Sequence, residues 1–186
     1  MGYIFDPDRL HEAARKATGL SHAELWPAIR QDLEATYPGH LAPKEEWVFN
    51  LAAGATGIMA LLHASLTEYL IIFGSPCGTE GYSSRYALEI RDWVINGEMV
   101  TYTEDKPGTA VVTRPGEGAL LKRFMAKGYK ITGNTWMLEY GRGFVPSALP
   151  TGMSDALISA LDFPTIVKTV RLYGGLVVRE LMKGKL

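Results

Sequence analysis

Two carboxylates stand where carboxylates are costly. Glu139 lies in the run Asn-Thr-Trp-Met-Leu-Glu-Tyr-Gly-Arg-Gly-Phe-Val-Pro-Ser, residues 134–147. The first half of this run reads as a strand, because Thr, Trp, Met, Leu and Tyr suit a pleated, half-buried surface. A period of two puts Thr135, Met137 and Glu139 on one face and Trp136, Leu138 and Tyr140 on the other. Asp92, in Ile-Arg-Asp-Trp-Val-Ile-Asn-Gly (90–97), likewise shares an apolar strand face with Ile90 and Val94. A buried carboxylate without a partner is strongly disfavoured, so it shifts its pKa or acquires a counter-charge. One reading is structural: Glu139 pairs with Arg142 just beyond the strand. The other is a proton-handling or cation-binding carboxylate in an apolar pocket.

The elements that must position these groups sit in a chain of 186 residues, a length suited to one domain. With 19 basic and 20 acidic residues there is no basic field for nucleic acid. The single cysteine, Cys77, excludes an internal disulfide and fits a reducing, intracellular compartment. The N-terminus does not read as a signal peptide, and Asp6 stands where a myristoylation signal needs Ser or Thr. All four histidines (11, 22, 40, 63) precede residue 64. No histidine-based metal site is therefore expected in the later, strand-rich part.

Residues 7–18 read as a short polar helix. Ser21 and Glu24 have capping-box spacing and open a second helix towards Tyr37, with Pro27 inside it. Val48 to Thr67 carries no Lys, Arg, Asp or Glu; it reads as a core helix whose stripe is Met59, Leu62, Leu66, Tyr69 and Phe73, with His63 as a core histidine. From residue 79 to 150, Gly-rich turns separate short runs, as in an all-β barrel or sandwich. After Pro146 the pattern is helical again, over 155–161 and from Pro164 towards Lys183. On the last helix Ile166, Val170, Tyr173, Val177 and Leu181 form an apolar stripe, with Lys168, Arg171, Arg179 and Lys183 on the other side. That pattern fits an interfacial helix on an anionic membrane, or an ordinary surface helix packed on the barrel.

Several phrases resemble one family. Glu-Trp-Val-Phe-Asn (46–50), Leu-Leu-His-Ala-Ser-Leu-Thr-Glu-Tyr (61–69), Gly-Thr-Glu-Gly (78–81), Asn-Thr-Trp-Met-Leu-Glu-Tyr-Gly-Arg-Gly (134–143) and Leu-Asp-Phe (161–163) are similar to the fungal sterol C-8 isomerases and the sigma-1 receptor. The resemblance implies an α+β fold, a cupin-like β-barrel (79–150) behind a helical N-terminal part (1–75). Membrane-facing helices (154–186) would close one end. It also implies a homotrimer, a hydrophobic ligand (a sterol-like lipid or a cationic amphiphile) and no cofactor or metal. Glu139 would meet a ligand amine or handle the proton, Asp92 would hydrogen-bond Glu139, and Tyr69 would support it. Met59, Phe73, Tyr86, Ile90, Met137, Val145, Leu149 and Tyr173 would line the pocket.

Relatives usually begin with a transmembrane helix, whereas this sequence starts at Tyr-Ile-Phe-Asp-Pro. The expectation is therefore peripheral, monotopic membrane association through 164–186. Where the fungal isomerases carry a His-His pair and a further His, this chain has Ala119-Leu120 and Tyr82. The implied activity is isomerisation that moves a ring double bond in a sterol-like or polycyclic lipid by carboxylate proton transfer. The alternative is a non-catalytic binding protein for amphiphilic amines or lipids.

Overall fold

A computed structural model describes residues 2–185. Two N-terminal helices, α1 (Pro7–Lys16) and α2 (His22–Glu34), come first. Asp6 caps α1 by accepting from the amides of Asp8 and Arg9 at 2.9 and 3.0 Å, and Glu24 accepts from the Ser21 amide at 2.9 Å to open α2. The strands follow: β1 (Trp47–Ala52), β2 (Ala55–Ala64), β3 (Glu68–Ser75), β4 (Thr79–Ser83), β5 (Leu88–Asn96), β6 (Met99–Tyr102), β7 (Val111–Thr113), β8 (Gly118–Leu121), β9 (Lys127–Ile131) and β10 (Thr135–Gly143). A 3-10 turn (Val145–Ser147) then leads to α3 (Leu149–Gly152), α4 (Ser154–Ile158) and the long α5 (Phe163–Met182).

The strands pair antiparallel in two sheets, a six-stranded one in the order β1-β2-β3-β10-β5-β8 and a four-stranded one, β4-β9-β6-β7. This is the expected α+β, cupin-like arrangement, although the strands divide between two sheets rather than forming one closed ring.

Alternation along the larger sheet explains its layers. Leu70, Ile72, Ile95, Leu138 and Tyr140 point to the helices, where they bury Leu10, Leu25, Ile29 and Leu33. The opposite side chains, among them Leu61, Ile71, Phe73, Val94 and Met137, face inward and meet Met99 and Ile131 of the smaller sheet. Each fully buried aliphatic side chain contributes about 1.5–3 kcal/mol relative to exposure. The central sheet is thus held from both faces, and any residue on its inner face is committed to the interior.

The structure corrects two readings. Residues 48–67 are not a helix: the N-terminal part is helical only to Glu34, and β1 and β2 form a hairpin across Ala53-Gly54. A continuous apolar run fits a strand buried on both faces as well as a buried helix, and periodicity alone does not separate them. The turn is made at Ala53 (φ 47°) and Gly54 (φ 89°), left-handed conformations that a two-residue hairpin needs. Met59 and Phe73, read as one helical stripe, are cross-strand partners on β2 and β3.

The polarity of α5 is the second correction. Its basic side chains turn back onto the protein: Lys168 donates to the Trp47 carbonyl at 2.7 Å, Arg171 to Glu46 at 2.6 Å and Arg179 to the Leu41 carbonyl at 2.7 Å. Tyr173 and Val177 pack inward. The side left to solvent carries Phe163, Val167, Val170, Val178 and Met182, continued by Ile158 and Leu161. Hydrogen bonds to the 39–47 segment decide the rotation of the helix, and that segment is remote in sequence. No helix among the described residues is long and apolar enough to cross a membrane.

Candidate functional site

The inner face of the larger sheet, the β9 strand and α5 enclose a cavity of about 170 Å³. On β10, residue 139 points inward because 136, 138 and 140 point to the helices. On β5, Asp92 does the same, opposite Trp93 and Ile95. Glu139 and Asp92 are direct cross-strand partners in the β10–β5 ladder. At such positions Cβ atoms lie about 5 Å apart, so the two carboxyls meet. Both line the cavity.

Tyr69 reaches the pair from β3, its hydroxyl donating to Glu139 Oε1 at 2.6 Å. Space for that ring comes from Gly141, the cross-strand partner of Tyr69. A Cβ at 141 would stand 2.2 Å from Tyr69 Cε1. Gly141→Ala should therefore displace the phenol and loosen Glu139. The expected result is weaker binding of a cationic amphiphile at neutral pH, by roughly 1–3 kcal/mol for a lost bond to a charged group. Calorimetry beside Tyr69→Phe, which should act in the same direction, checks it.

Arg142 is not the partner of Glu139. It lies inside β10 on the opposite face, and its guanidinium pairs with Glu89 at 3.0 Å. The strand runs to Gly143, and this extra length puts a residue three positions on across the sheet.

Burial pushes the Glu139 carboxyl up to about 7, with the neighbouring charge of Asp92 adding to the rise; the Tyr69 bond and the Lys127 ammonium act the other way. Glu139 therefore gives up or regains a proton near neutral pH.

Of the remaining predicted lining residues, Met59, Tyr86, Ile90, Val145, Leu149 and Tyr173 face the same cavity. Val145 and Leu149 come from the turn and α3 that cap it, and Tyr173 is fixed on α5 by donating to the Ser65 carbonyl at 3.2 Å. Phe73 and Met137 instead line a smaller adjoining chamber of about 40 Å³, which shares Asp92 and Glu139 with the main cavity.

One central residue escaped the sequence reading. Lys127, buried on β9, donates from Nζ to Asp92 Oδ2. A signal existed, since Lys127, Tyr129 and Ile131 alternate on one face of a short strand, the same pattern that singled out the two acids. Tyr129, Asn50 and Thr169 also line the cavity. The histidines stand elsewhere: His11 donates from Nε2 to the Gly116 carbonyl at 2.9 Å, and buried His63 donates from Nδ1 to the His40 carbonyl at 2.8 Å.

Comparisons with known proteins place the chain among its relatives. A family model described as "ERG2 and Sigma1 receptor like protein" matches residues 1–185. The sigma non-opioid intracellular receptor 1 of Gallus gallus is 42% identical over 175 residues, covering 92% of this chain and 78% of the receptor. The C-8 sterol isomerase erg2 of Aspergillus fumigatus is 39% identical over 189 residues, covering 98% of this chain and 78% of the isomerase. Among solved structures, an RmlC-like cupin from Shewanella frigidimarina aligns with a TM-score of 0.45 at 15% identity, over 56% of this chain and 90% of that one. KdgF from Halomonas sp. aligns with a TM-score of 0.44 at 9% identity, over 56% and 94%.

Proposed function

The chain belongs to the family of ERG2 and sigma-1 receptor-like proteins, and from that premise we propose that it is an isomerase moving a ring double bond in a sterol-like lipid alkene. The observation that carries the reading is Glu139, a buried carboxyl facing an apolar cavity beside Asp92 and Tyr69, where burial and the Asp92 charge raise its hold on a proton.

Shifting a double bond by one position needs a proton added to one alkene carbon and another removed from a neighbouring carbon. Protonated Glu139 supplies the first. The carboxylate it becomes then faces the carbocation, in a site of low polarity where that attraction is strong. The pair takes a proton back, so the enzyme ends as it began. Met59, Ile90, Val145 and Leu149 keep the walls apolar, which protects the cation from water. An ammonium amphiphile imitates the cation and fits the same place.

The alternative is a non-catalytic binding protein for amphiphilic amines or lipids. One observation favours it. The positions that hold a His-His pair in the fungal isomerases contribute no base, since Ala119 lies opposite Asp92 on β8 and Leu120 points to solvent. Incubation of a Δ8 sterol in heavy water separates the two: the isomerase reading expects converted sterol carrying deuterium. Tight amine binding with no label in the sterol would establish the alternative.

We assign the membrane contact to the outward side of α4 and α5. With the basic side chains engaged by the protein, apolar area rather than charge drives this contact. Liposome flotation should therefore succeed with zwitterionic lipid and persist in high salt. The double substitution Ile158→Asp/Val167→Asp should abolish it, because both residues are exposed. Flotation that requires anionic lipid would refute this assignment. Exposed apolar side chains away from α4 and α5, Val111 on the β7 edge strand among them, leave surface for self-association, which the family resemblance makes a homotrimer. Light scattering should give three chain masses, and Val111→Asp should reduce them to one.

A further inference from the structure

Lys127 is a buried cation in a cavity whose proposed ligands are neutral or cationic. Its side chain is 7% exposed and that of Asp92, its partner, 4%. Among the described residues lining the two chambers it is the sole basic side chain. A lysine in such a place is expensive unless something requires its charge.

The groups around it come from every wall. Asp92 projects from β5, Glu139 from β10, Tyr69 from β3 and Tyr129 from β9, with Tyr86 and Tyr173 also lining the main cavity. Burial pushes the phenols of Tyr69, Tyr86, Tyr129 and Tyr173 up, so they remain neutral. Charge therefore resides on Lys127, Asp92 and Glu139 alone. The ammonium and one carboxylate cancel. A second ionised carboxyl would leave a buried net charge of −1, which is unfavourable in an apolar wall. Contact distinguishes the two acids: the ammonium touches Asp92, while Glu139 accepts from the Tyr69 hydroxyl and lies beside Asp92. Glu139 accepts from Tyr69 at Oε1, and in its protonated form it donates to Asp92.

We propose that Lys127 is a positioning residue that places the one exchangeable proton of the site on Glu139, by holding Asp92 as its counter-ion. With Asp92 engaged by the Lys127 ion pair, Glu139 both delivers the proton to the alkene and accepts the one removed from the neighbouring carbon. The balance closes: one proton out, one proton back, and a site with no net charge at rest. A cationic amphiphile must displace the Glu139 proton to restore that neutrality. The inference deepens the isomerase reading and rests on it for the identity of the ligand, but the proton's location is measurable without any ligand.

The first test is an infrared pH titration of the ligand-free full chain, reading the band of a protonated carboxyl. Wild type should show one such band titrating near neutral pH. Glu139→Gln should lose it. Asp92→Asn, which leaves Lys127 facing Glu139, should keep it and move its midpoint down by about one pH unit or more, the usual effect of an adjacent opposite charge. Lys127→Met should move the midpoint up by about as much, and Lys127→Arg should restore it. The second test is calorimetry with a quaternary ammonium amphiphile in buffers of different ionisation enthalpy. Near pH 6, wild type should release about one proton per ligand and Lys127→Met close to none, because the variant's pair already carries the compensating charge. A band that survives in Glu139→Gln but vanishes in Asp92→Asn would put the proton on Asp92 and overturn the proposal. A midpoint unmoved in Lys127→Met would do the same; if that variant does not fold, the two acid variants decide. Titrations as expected without ammonium binding or turnover would leave the proton assignment standing and defeat the functional reading instead.

Discussion

Glu139→Gln should abolish double-bond isomerisation and weaken a tertiary amine by roughly 2–4 kcal/mol, the usual cost of removing one member of a desolvated charge pair. Glutamine keeps the shape of the side chain and the Tyr69 contact, so the loss isolates charge and proton. Wild type itself should show opposite pH dependences for the two ligand classes. Turnover of a neutral sterol needs Glu139 protonated, so kcat/KM falls as pH rises through about 7. Amine binding needs it ionised, so affinity climbs over the same range until the amine loses its own proton. Stability carries a third signature. The folded carboxyl is raised from 4.5 to about 7, so its contribution is fully present below the unfolded value. That contribution is lost as pH climbs to the folded one. Above neutrality wild type carries a buried charge that the neutral amide of the variant never acquires. Urea unfolding at pH 8 should therefore find Glu139→Gln more stable than wild type, and the two alike near pH 4. Undiminished turnover in the variant, or amine affinity that falls with rising pH, would remove Glu139 from the chemistry.

The acid pair was legible because strand periodicity is a local property. Asp92 sits between Ile90 and Val94 and Glu139 follows Met137 on the same inward face, and the sheet leaves a residue there nowhere else to go. The capping box at Ser21 and the Pro164 boundary of α5 were legible for the same reason, since such signals are written within four residues. What failed was non-local. The β1–β2 hairpin turns on Ala53-Gly54, where the favoured Asn-Gly or Asp-Gly is absent, so an uncharged run gave no sign of folding back. The rotation of α5 depends on carbonyls at 39, 41 and 47, more than a hundred residues away. Arg142 was misplaced by a strand only a few residues longer than its composition suggested. Lys127 was visible in principle, but its strand spans only Lys127–Ile131, too short for alternation to stand out among turns.

Glu68 makes the same point about stability, and its replacement should have the largest effect on the fold. Its carboxylate is fully buried, and every partner is remote in sequence except through the sheet. It accepts from the Ile4 amide at 2.7 Å, from the Tyr140 hydroxyl at 2.8 Å and from Lys185 Nζ at 2.9 Å. Lys185 in turn donates to the Gly2 carbonyl at 3.0 Å. One side chain on β3 thus joins the N-terminal segment, β10 and the C-terminal end of the chain. Glu68→Gln removes the charge while leaving the Lys185 ammonium buried opposite it, and breaking a buried pair from one side costs roughly 3–5 kcal/mol. Lys185→Met should cost distinctly less. It leaves a carboxylate that keeps its other donors, the Ile4 and Phe5 amides and the Tyr140 hydroxyl, and the methionine stem fills the space the lysine occupied. The double variant Glu68→Gln/Lys185→Met should recover part of the loss, since no unpaired charge remains. Chemical unfolding of the four proteins measures the coupling. Hydrogen exchange at the Ile4 amide should accelerate in Glu68→Gln and change little in Lys185→Met. If Lys185→Met proves the more damaging of the two, the ion pair rather than the buried carboxylate holds the termini, and the ranking argued here is wrong.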